Sequence, residues 1–250
     1  MSHGDVTLVR LHVGAVPAIG QALALTAAQN NYLRHVLRFR DGDTLLVFDG
    51  RNGEWRARFC ARGKRDSELE ILEFVRPQPR AGDLWYLFAP LKHARLDYMV
   101  QKATEMGANC LQPVVTAHTQ TSRVNLERMT SNVIEACEQC GVLNVPEVRW
   151  VTTLAALLAH WPASRRLLVG DEGAALAEPH RQLALLAPSP LALLIGPEGG
   201  FSTAERSELL AHPAVTPLSL GPRILRADTA AVAALAIIQS ALGDWRDTQM

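Results

Sequence analysis

Two stretches in the C-terminal third have residue types and spacing suited to holding a ligand: LLIGPEGGFSTAE, residues 193–205, and LSLGPRILRADTA, residues 218–230. In each, an apolar run stops at Gly-Pro. Proline locks its own φ and pushes the preceding residue towards extended geometry, so Gly196-Pro197 and Gly221-Pro222 are preset exits from strands. Gly199 and Gly200 then let the backbone approach a ligand closely. Neither the G-x-x-x-x-G-K-[ST] phosphate loop nor the G-x-G-x-x-G dinucleotide pattern is present. The expected ligand is therefore one held by backbone N–H and C=O groups and by apolar contacts. Adenine fits, since its edge carries donors and acceptors and its faces are apolar. A pair of ordinary tight strand-to-helix turns is the alternative, but two loops of one form at neighbouring strand ends point to a composite pocket.

Cysteine chemistry is a weaker prospect. Cys60 and Cys110 are isolated, whereas Cys137 and Cys140 form C-x-x-C within NLERMTSNVIEACEQCG. Leu126, Met129, Val133, Cys137 and Cys140 recur at spacings of three and four, which puts both thiols on the apolar stripe of a helix. A zinc site would need a second ligand pair at suitable spacing, so core packing is expected and no metal.

The formal net charge is zero, but the charge is unevenly spread. Residues 34–65 hold nine basic side chains (Arg34, Arg38, Arg40, Arg51, Arg56, Arg58, Arg62, Lys64, Arg65) against four acidic ones (Asp41, Asp43, Asp49, Glu54). Such a patch suits either a solvated β-surface or a phosphate-binding face. The 250 residues are 48% hydrophobic, enough for a substantial core. No run approaches the ~18 apolar residues of a membrane span, and MSHGDVTLVR lacks the apolar core of a secretory signal, which favours the cytoplasm.

The elements that must position these groups follow two rhythms. From Thr44 to Glu73 the chain reads as short strands: TLLVFD, the turn GRNG, the alternating EWRARFC, then ELEILE. AAQNNYLRHVLRFRDGD upstream reads as a short amphipathic helix, on which Arg34 and Arg38 share a face at spacing four. RPQPRAGD is the expected linker. Beyond it, DLWYLFAP, CLQPVVT, PEVRWV, RRLLVG, LALLIG and TPLSLG alternate with helical segments, which predicts a parallel α/β sheet with ligands at the strand C-termini. The last helical segment, TAAVAALAIIQSAL, is apolar almost all round, so burial by the sheet and by a second subunit is expected. Ser202 and Glu205 form an S-x-x-E capping box after the glycine loop.

LLIGPEGGFSTAE, LGPRILRADTA, KHARLDYMVQKATEMGA, EACEQCG...VPEV and HVLRFRDGD together resemble the signature stretches of the bacterial RsmE family, in order along nearly the whole chain. That resemblance implies methylation of a uridine in 16S ribosomal RNA at ring nitrogen N3, in the decoding region of the small subunit, with S-adenosyl-L-methionine as cofactor. It also implies a PUA-like β-barrel domain for RNA binding over residues 1–75, a linker over 76–83, and a SPOUT-type α/β domain over 84–250 tied in a deep trefoil knot and working as a homodimer. Base rates disfavour knots, so that element comes from the resemblance alone.

Carried over residue by residue, the resemblance places the cofactor against Gly170, Ile195, Gly196, Glu198, Gly199, Gly200, Leu220, Gly221, Ile224 and Leu225. Arg223, Arg226, Asp228 and Glu198 are the catalytic candidates. The uracil N3 proton must leave, so a carboxylate, Asp228 or Glu198, is the candidate base and Arg226 the stabiliser of the resulting anion. Asp228 and Thr229 could instead cap the last helix. Arg10, Arg34, His35, Arg38, Arg56, Lys92 and Arg95 are the candidate RNA contacts. Two positions depart from the family pattern: Asp228 stands where relatives have glutamate, and Val142 where they have arginine. Two further readings remain: a related methyltransferase acting on another base or a ribose hydroxyl, and a non-catalytic RNA-binding assembly factor. The intact GPEGG and PRILR loops speak against the second.

Overall fold

The computed structural model describes residues 9–63, 66–121, 123–174, 178–187 and 189–246. Lys64 and Arg65 of the basic patch lie outside these residues. The chain divides into two compact units, the first ending at Arg80 and also taking in Cys137–Asn144, the second formed by Ala81–Ala136 and the chain from Val145 onward. The division falls inside the proline-bearing linker, but the second unit is interrupted where the sequence reading had a continuous domain.

In the first unit, strands β1 (Arg10–His12), β2 (Ala22–Ala24), β3 (Thr44–Phe48), β4 (Glu54–Arg62) and β5 (Asp66–Arg76) form one sheet in the order β1-β3-β4-β5-β2. The alternation of EWRARFC is borne out: Ala57 and Phe59 enter the core with Leu45, Val47, Leu69 and Ile71, while the intervening arginines stay outside. Helix α1 (Ala27–Asn31) opens with a Thr26–Gln29 capping box and runs into a π-helical turn over Tyr32–Val36. That turn changes the expected helical face. Arg38 lies beyond the helix at φ +57°, the single non-glycine positive φ among the described residues, so Arg34 and Arg38 do not share an α-helical stripe.

The second unit is a sheet of parallel strands: β6 (Leu84–Phe88), β7 (Cys110–Val115), β8 (Glu147–Val148), β9 (Thr152–Thr153), β10 (Arg166–Gly170), β11 (Leu191–Ile195) and β12 (Val215–Leu218). Their order is β12-β10-β11-β6-β7-β8, with β9 paired to β7. Helices α2 (His93–Glu105), α3 (Leu126–Cys140), α4 (Leu154–Ala159), α5 (Pro179–Ala184), α6 (Thr203–Ala211) and α7 (Ala227–Leu242) connect or follow them. LALLI reads as a continuous apolar run because β11 is central, with all five residues buried. No helix among the described residues is long and apolar enough to cross a membrane.

The cysteine helix corrects one expectation. Cys137 is buried but Cys140 is exposed, because Cys140 is the last residue of α3, where the covered stripe has run out. Burial, with Glu138 and Cys140 nearby, pushes the Cys137 thiol up to about 12, and burial does the same for Cys110. Alkylation of the folded protein at neutral pH is therefore expected to modify Cys60 and Cys140 and to spare Cys110 and Cys137. Peptide mass mapping before and after urea checks this; modification of Cys137 in the native chain would contradict it.

Candidate active site

Strands β10, β11 and β12 end level with one another, Gly170 standing opposite Ile195 on one side and Leu218 on the other. Here the strand order reverses, since β11 lies to one side of β10 and β12 to the other. Open parallel sheets bind ligands in the crevice at such a point. The loops leaving these strands enclose a cavity of about 480 Å³, lined by Gly170–Ala174, Ile195–Glu198, Gly200, Phe201 and Leu218–Leu225, with Arg206, Ala227 and Ala230. The two Gly-Pro loops are thus brought together, joined by a third loop after Gly170.

Of the cofactor candidates, Gly170, Ile195, Gly196, Glu198, Gly200, Leu220, Gly221, Ile224 and Leu225 line the cavity, and Gly199 does not. The carbonyl of Gly199 is engaged by His118 at 3.0 Å. Gly200 is held at φ +67°, a conformation that disfavours any other residue there. A Cβ on Gly196 would stand 3.0 Å from the Phe201 ring, so backbone and ring are in close approach.

The sequence reading missed the clamp on the third loop. The Asp171 side chain is almost fully buried, and its carboxylate accepts both Nε and Nη2 of Arg206 from α6, the shortest bond being 2.9 Å. Arg206 Nη2 also donates to the carbonyl of Gly173 at 3.2 Å. A bidentate guanidinium–carboxylate pair fixes direction as well as distance, so α6 holds the loop after β10 in place. Its one local signal is that Arg206 stands four residues after the capping Ser202, on the first exposed turn of the helix.

Among the catalytic candidates, Glu198 lines the cavity and pairs with Arg95 of α2 at 3.3 Å, both side chains being about two-fifths exposed. An ion pair this open contributes little stability and can be exchanged for a ligand. Arg223 lines the cavity and is exposed. Arg226 is the N-cap residue of α7, with no side-chain capping bond, between Leu225 and Ala227 of the lining. Asp228 sits in the first turn of α7, where its Oδ1 accepts the Thr229 amide at 2.8 Å. Neither Asp228 nor Thr229 is the N-cap, and among the described residues no ion pair joins Arg226 to Asp228.

The RNA candidates divide by what they already bind. Arg10 pairs with the buried Glu54 at 2.8 Å, and Arg56 pairs with Glu73 at 2.7 Å. Arg34 donates to Ser67 Oγ and to the carbonyls of Gly63 and Asp66, its guanidinium lying 5.8 Å from the Phe59 ring centroid. His35 and Arg38 are exposed, as is Lys92, the N-cap residue of α2.

A sheet of this order with a backbone-lined cavity at its reversal point belongs to a known class. The RNA methyltransferase domain family matches residues 77–239, and the RNA methyltransferase PUA domain family matches residues 25–72. Ribosomal RNA small subunit methyltransferase E of Rickettsia conorii is 30% identical over 84% of this chain and 85% of its own length; the protein of that name from Synechocystis is 33% identical over 96% and 80%. Two solved structures superpose with a TM-score of 0.84 each. One is a methyltransferase of Legionella pneumophila in complex with bound SAM, 31% identical over 96% of this chain and 100% of that one. The other is ribosomal RNA small subunit methyltransferase E of Neisseria gonorrhoeae bound to S-adenosyl methionine, 27% identical over 94% and 98%. The chain belongs to the ribosomal RNA small subunit methyltransferase E family.

Proposed function

We propose that this protein transfers a methyl group from S-adenosylmethionine to N3 of a uridine in 16S ribosomal RNA, in the decoding region of the small subunit. The carrying observation is the convergence of three strand ends on one cavity whose lining is rich in backbone and apolar groups and contains no lysine. Its volume of about 480 Å³ suits a small-molecule ligand. Backbone groups of Ile195, Gly196, Leu220 and Leu225 would hold the adenine edge, and Glu172 and Glu198 supply carboxylates for hydroxyl and cationic groups. When bound, the cofactor supplies an electrophilic methyl group on a sulfonium.

The task of the protein is alignment and proton removal. Asp228 or Glu198 takes the N3 proton, and Arg226, beside Arg223, stabilises the charge that develops on the uracil oxygens. Arg38, His35, Arg34 and Arg56 in the first unit and Lys92 and Arg95 in the second contact the RNA. Phosphate contacts position it, and the target base is unpaired or extruded to react. A ribosomal substrate places the enzyme in the cytoplasm.

The active form in this reading is a homodimer. Support comes from Val232, Ala236 and Ile237 of α7, apolar yet only half-buried, and from Ile224, 85% exposed beside the cavity. The reading that the last segment is tied in a deep trefoil knot draws support from the path of the chain. It passes from β11 to β12 on the far side of β10, then returns so that α7 packs on α2, α5 and β11.

Incubating small ribosomal subunits with the purified protein and labelled cofactor, followed by nucleoside analysis, tests the function. The expected product is 3-methyluridine; a 2′-O-methyl product would overturn the base assignment, and a chain without affinity for S-adenosylmethionine would overturn the enzymatic reading. Arg206→Ala is expected to weaken cofactor binding by about tenfold, ~1.4 kcal/mol, because the Asp171–Gly173 wall loses its clamp. Isothermal titration measures this, and an unchanged Kd would show that the wall stands without Arg206.

A further inference from the structure

His118 stands in the turn after β7, outside the three loops that line the cavity. The turn is closed on itself: the Thr119 hydroxyl accepts the amide of the buried Thr116 at 2.8 Å and is bonded to the Thr116 hydroxyl at 3.0 Å. From this base, His118 Nδ1 lies 3.0 Å from the carbonyl oxygen of Gly199 and 3.1 Å from that of Gly200. Both are acceptors, so Nδ1 is the donor and its single N–H is shared between them.

A second tie runs alongside. The Ala117 amide donates to Glu205 Oε1 at 2.7 Å, while Glu205 Oε2 takes the amide and hydroxyl of Ser202 in the capping box. Burial works against the charged Glu205 carboxylate, but the Ser202 and Ala117 amides outweigh it, with the Ser202 hydroxyl and His118 adding to them, and hold its pKa below the ordinary value. A depressed carboxylate pKa means that this stabilisation is complete above the unfolded value and is lost only as pH falls through the folded one, so the tie persists at neutral pH. The turn after β7 therefore grips the 199–205 segment at its glycine turn and at the start of α6.

The consequence for the cavity follows from peptide geometry. In a trans peptide unit the N–H points opposite to the C=O, so directing the Gly200 carbonyl at His118 directs the Phe201 amide the other way. Gly200 and Phe201 line the cavity, while Gly199, whose amide is on the preceding unit, does not. The Gly200 amide is itself taken by the Pro197 carbonyl at 2.9 Å, so the turn has one internal bond and depends on His118 for its outward carbonyls.

We propose that His118 is a positioning residue of the cofactor pocket, its Nδ1–H holding the Gly199 and Gly200 carbonyls so that the opposite edge of the glycine loop is presented to the cofactor. This inference rests on reading the cavity as the S-adenosylmethionine site. Its test uses the full chain and three variants, His118→Ala, His118→Asn and His118→Gln. An asparagine amide nitrogen falls near the place of Nδ1, whereas a glutamine amide reaches towards that of Nε2, so the two differ in where they put the same donor.

Calorimetric titration with S-adenosylmethionine is expected to show Kd raised about tenfold for the alanine and glutamine variants and within about threefold of wild type for asparagine. With saturating cofactor, kcat and the KM for ribosomal subunits should stay within about twofold, the loss appearing in the KM for cofactor. Equal affinities for the asparagine and glutamine variants, or a loss confined to the KM for RNA, would overturn the assignment. The asparagine–glutamine comparison stands even if the alanine variant does not fold. A wild-type chain that binds no cofactor would remove the methyltransferase reading and this inference with it, whereas wild-type affinity in all three variants removes only the inference.

Discussion

Arg226→Ala is expected to lower methyl transfer by at least about 100-fold, ~2.7 kcal/mol of transition-state stabilisation, while cofactor affinity stays within about twofold. Uracil N3 becomes a nucleophile only as its proton leaves, and the charge then resides largely on the flanking carbonyl oxygens. A fixed cation there acts on the transition state more than on the bound neutral base. Arg226 meets the structural requirements. Its backbone is extended at φ −65° and ψ 151°, its side chain is exposed, and it stands between two residues of the cavity lining at the N-terminus of the 16-residue α7. The helix adds the partial positive charge of its unpaired amides at the same end. Single-turnover methylation of small subunits, paired with calorimetric titration of cofactor, measures both quantities. Wild-type turnover would remove Arg226 from the chemistry. In the same assay Asp228→Asn and Glu198→Gln separate the two candidate bases, the true base showing the larger loss and a shifted pH profile.

The second large effect concerns stability. Glu54→Ala is expected to cost about 3 kcal/mol in urea unfolding, without a comparable loss from Glu73→Ala. The Glu54 side chain is 2% exposed and takes Arg10 at 2.8 Å and Arg76 at 2.7 Å, and Arg76 continues to the Gly141 carbonyl at 2.8 Å. Removing the carboxylate leaves two guanidiniums without their shared partner. Glu73 belongs to an exposed pair with Arg56, which water and salt replace at little cost. A loss for Glu54→Ala no greater than that for Glu73→Ala would show that the pair is solvated. The result also decides the role of Arg10: a residue committed to Glu54 supports the first unit, and its replacement should lower stability before it lowers RNA affinity.

Much of this was legible from short-range pattern. LALLI reads as one of several apolar strands of a parallel sheet because no polar position interrupts it, and EWRARFC had to lie on a half-buried sheet because its polar residues recur at period two. The Gly-Pro exits, the Ser202–Glu205 capping box and the proline-bearing linker are equally local, each set by φ restrictions or by a side chain three residues away. The same reasoning erred where a local rule met a tertiary one. Cys140 satisfies the helical spacing but falls outside the stripe that is covered. The π-helical turn at Tyr32–Val36 breaks the spacing of four that would align Arg34 with Arg38. The carbonyl of Gly199, within the glycine motif, turns to His118 in the turn after β7, a partner that no local spacing marks.

By itself, then, the sequence determined the elements and the two glycine loops, and excluded a phosphate loop with its lysine, because these depend on backbone preferences and spacing over a few residues. Only the tertiary structure decided that β12 lies on the far side of β10, which sets the loop after Gly170 between the two Gly-Pro loops. It also joined Asp171 to Arg206 across 35 positions and His118 to Gly199 across 81. Such contacts join segments far apart in the chain, and periodicity over a few residues does not pair them. They arise from which strands share a sheet edge, a choice made by burial of the whole core.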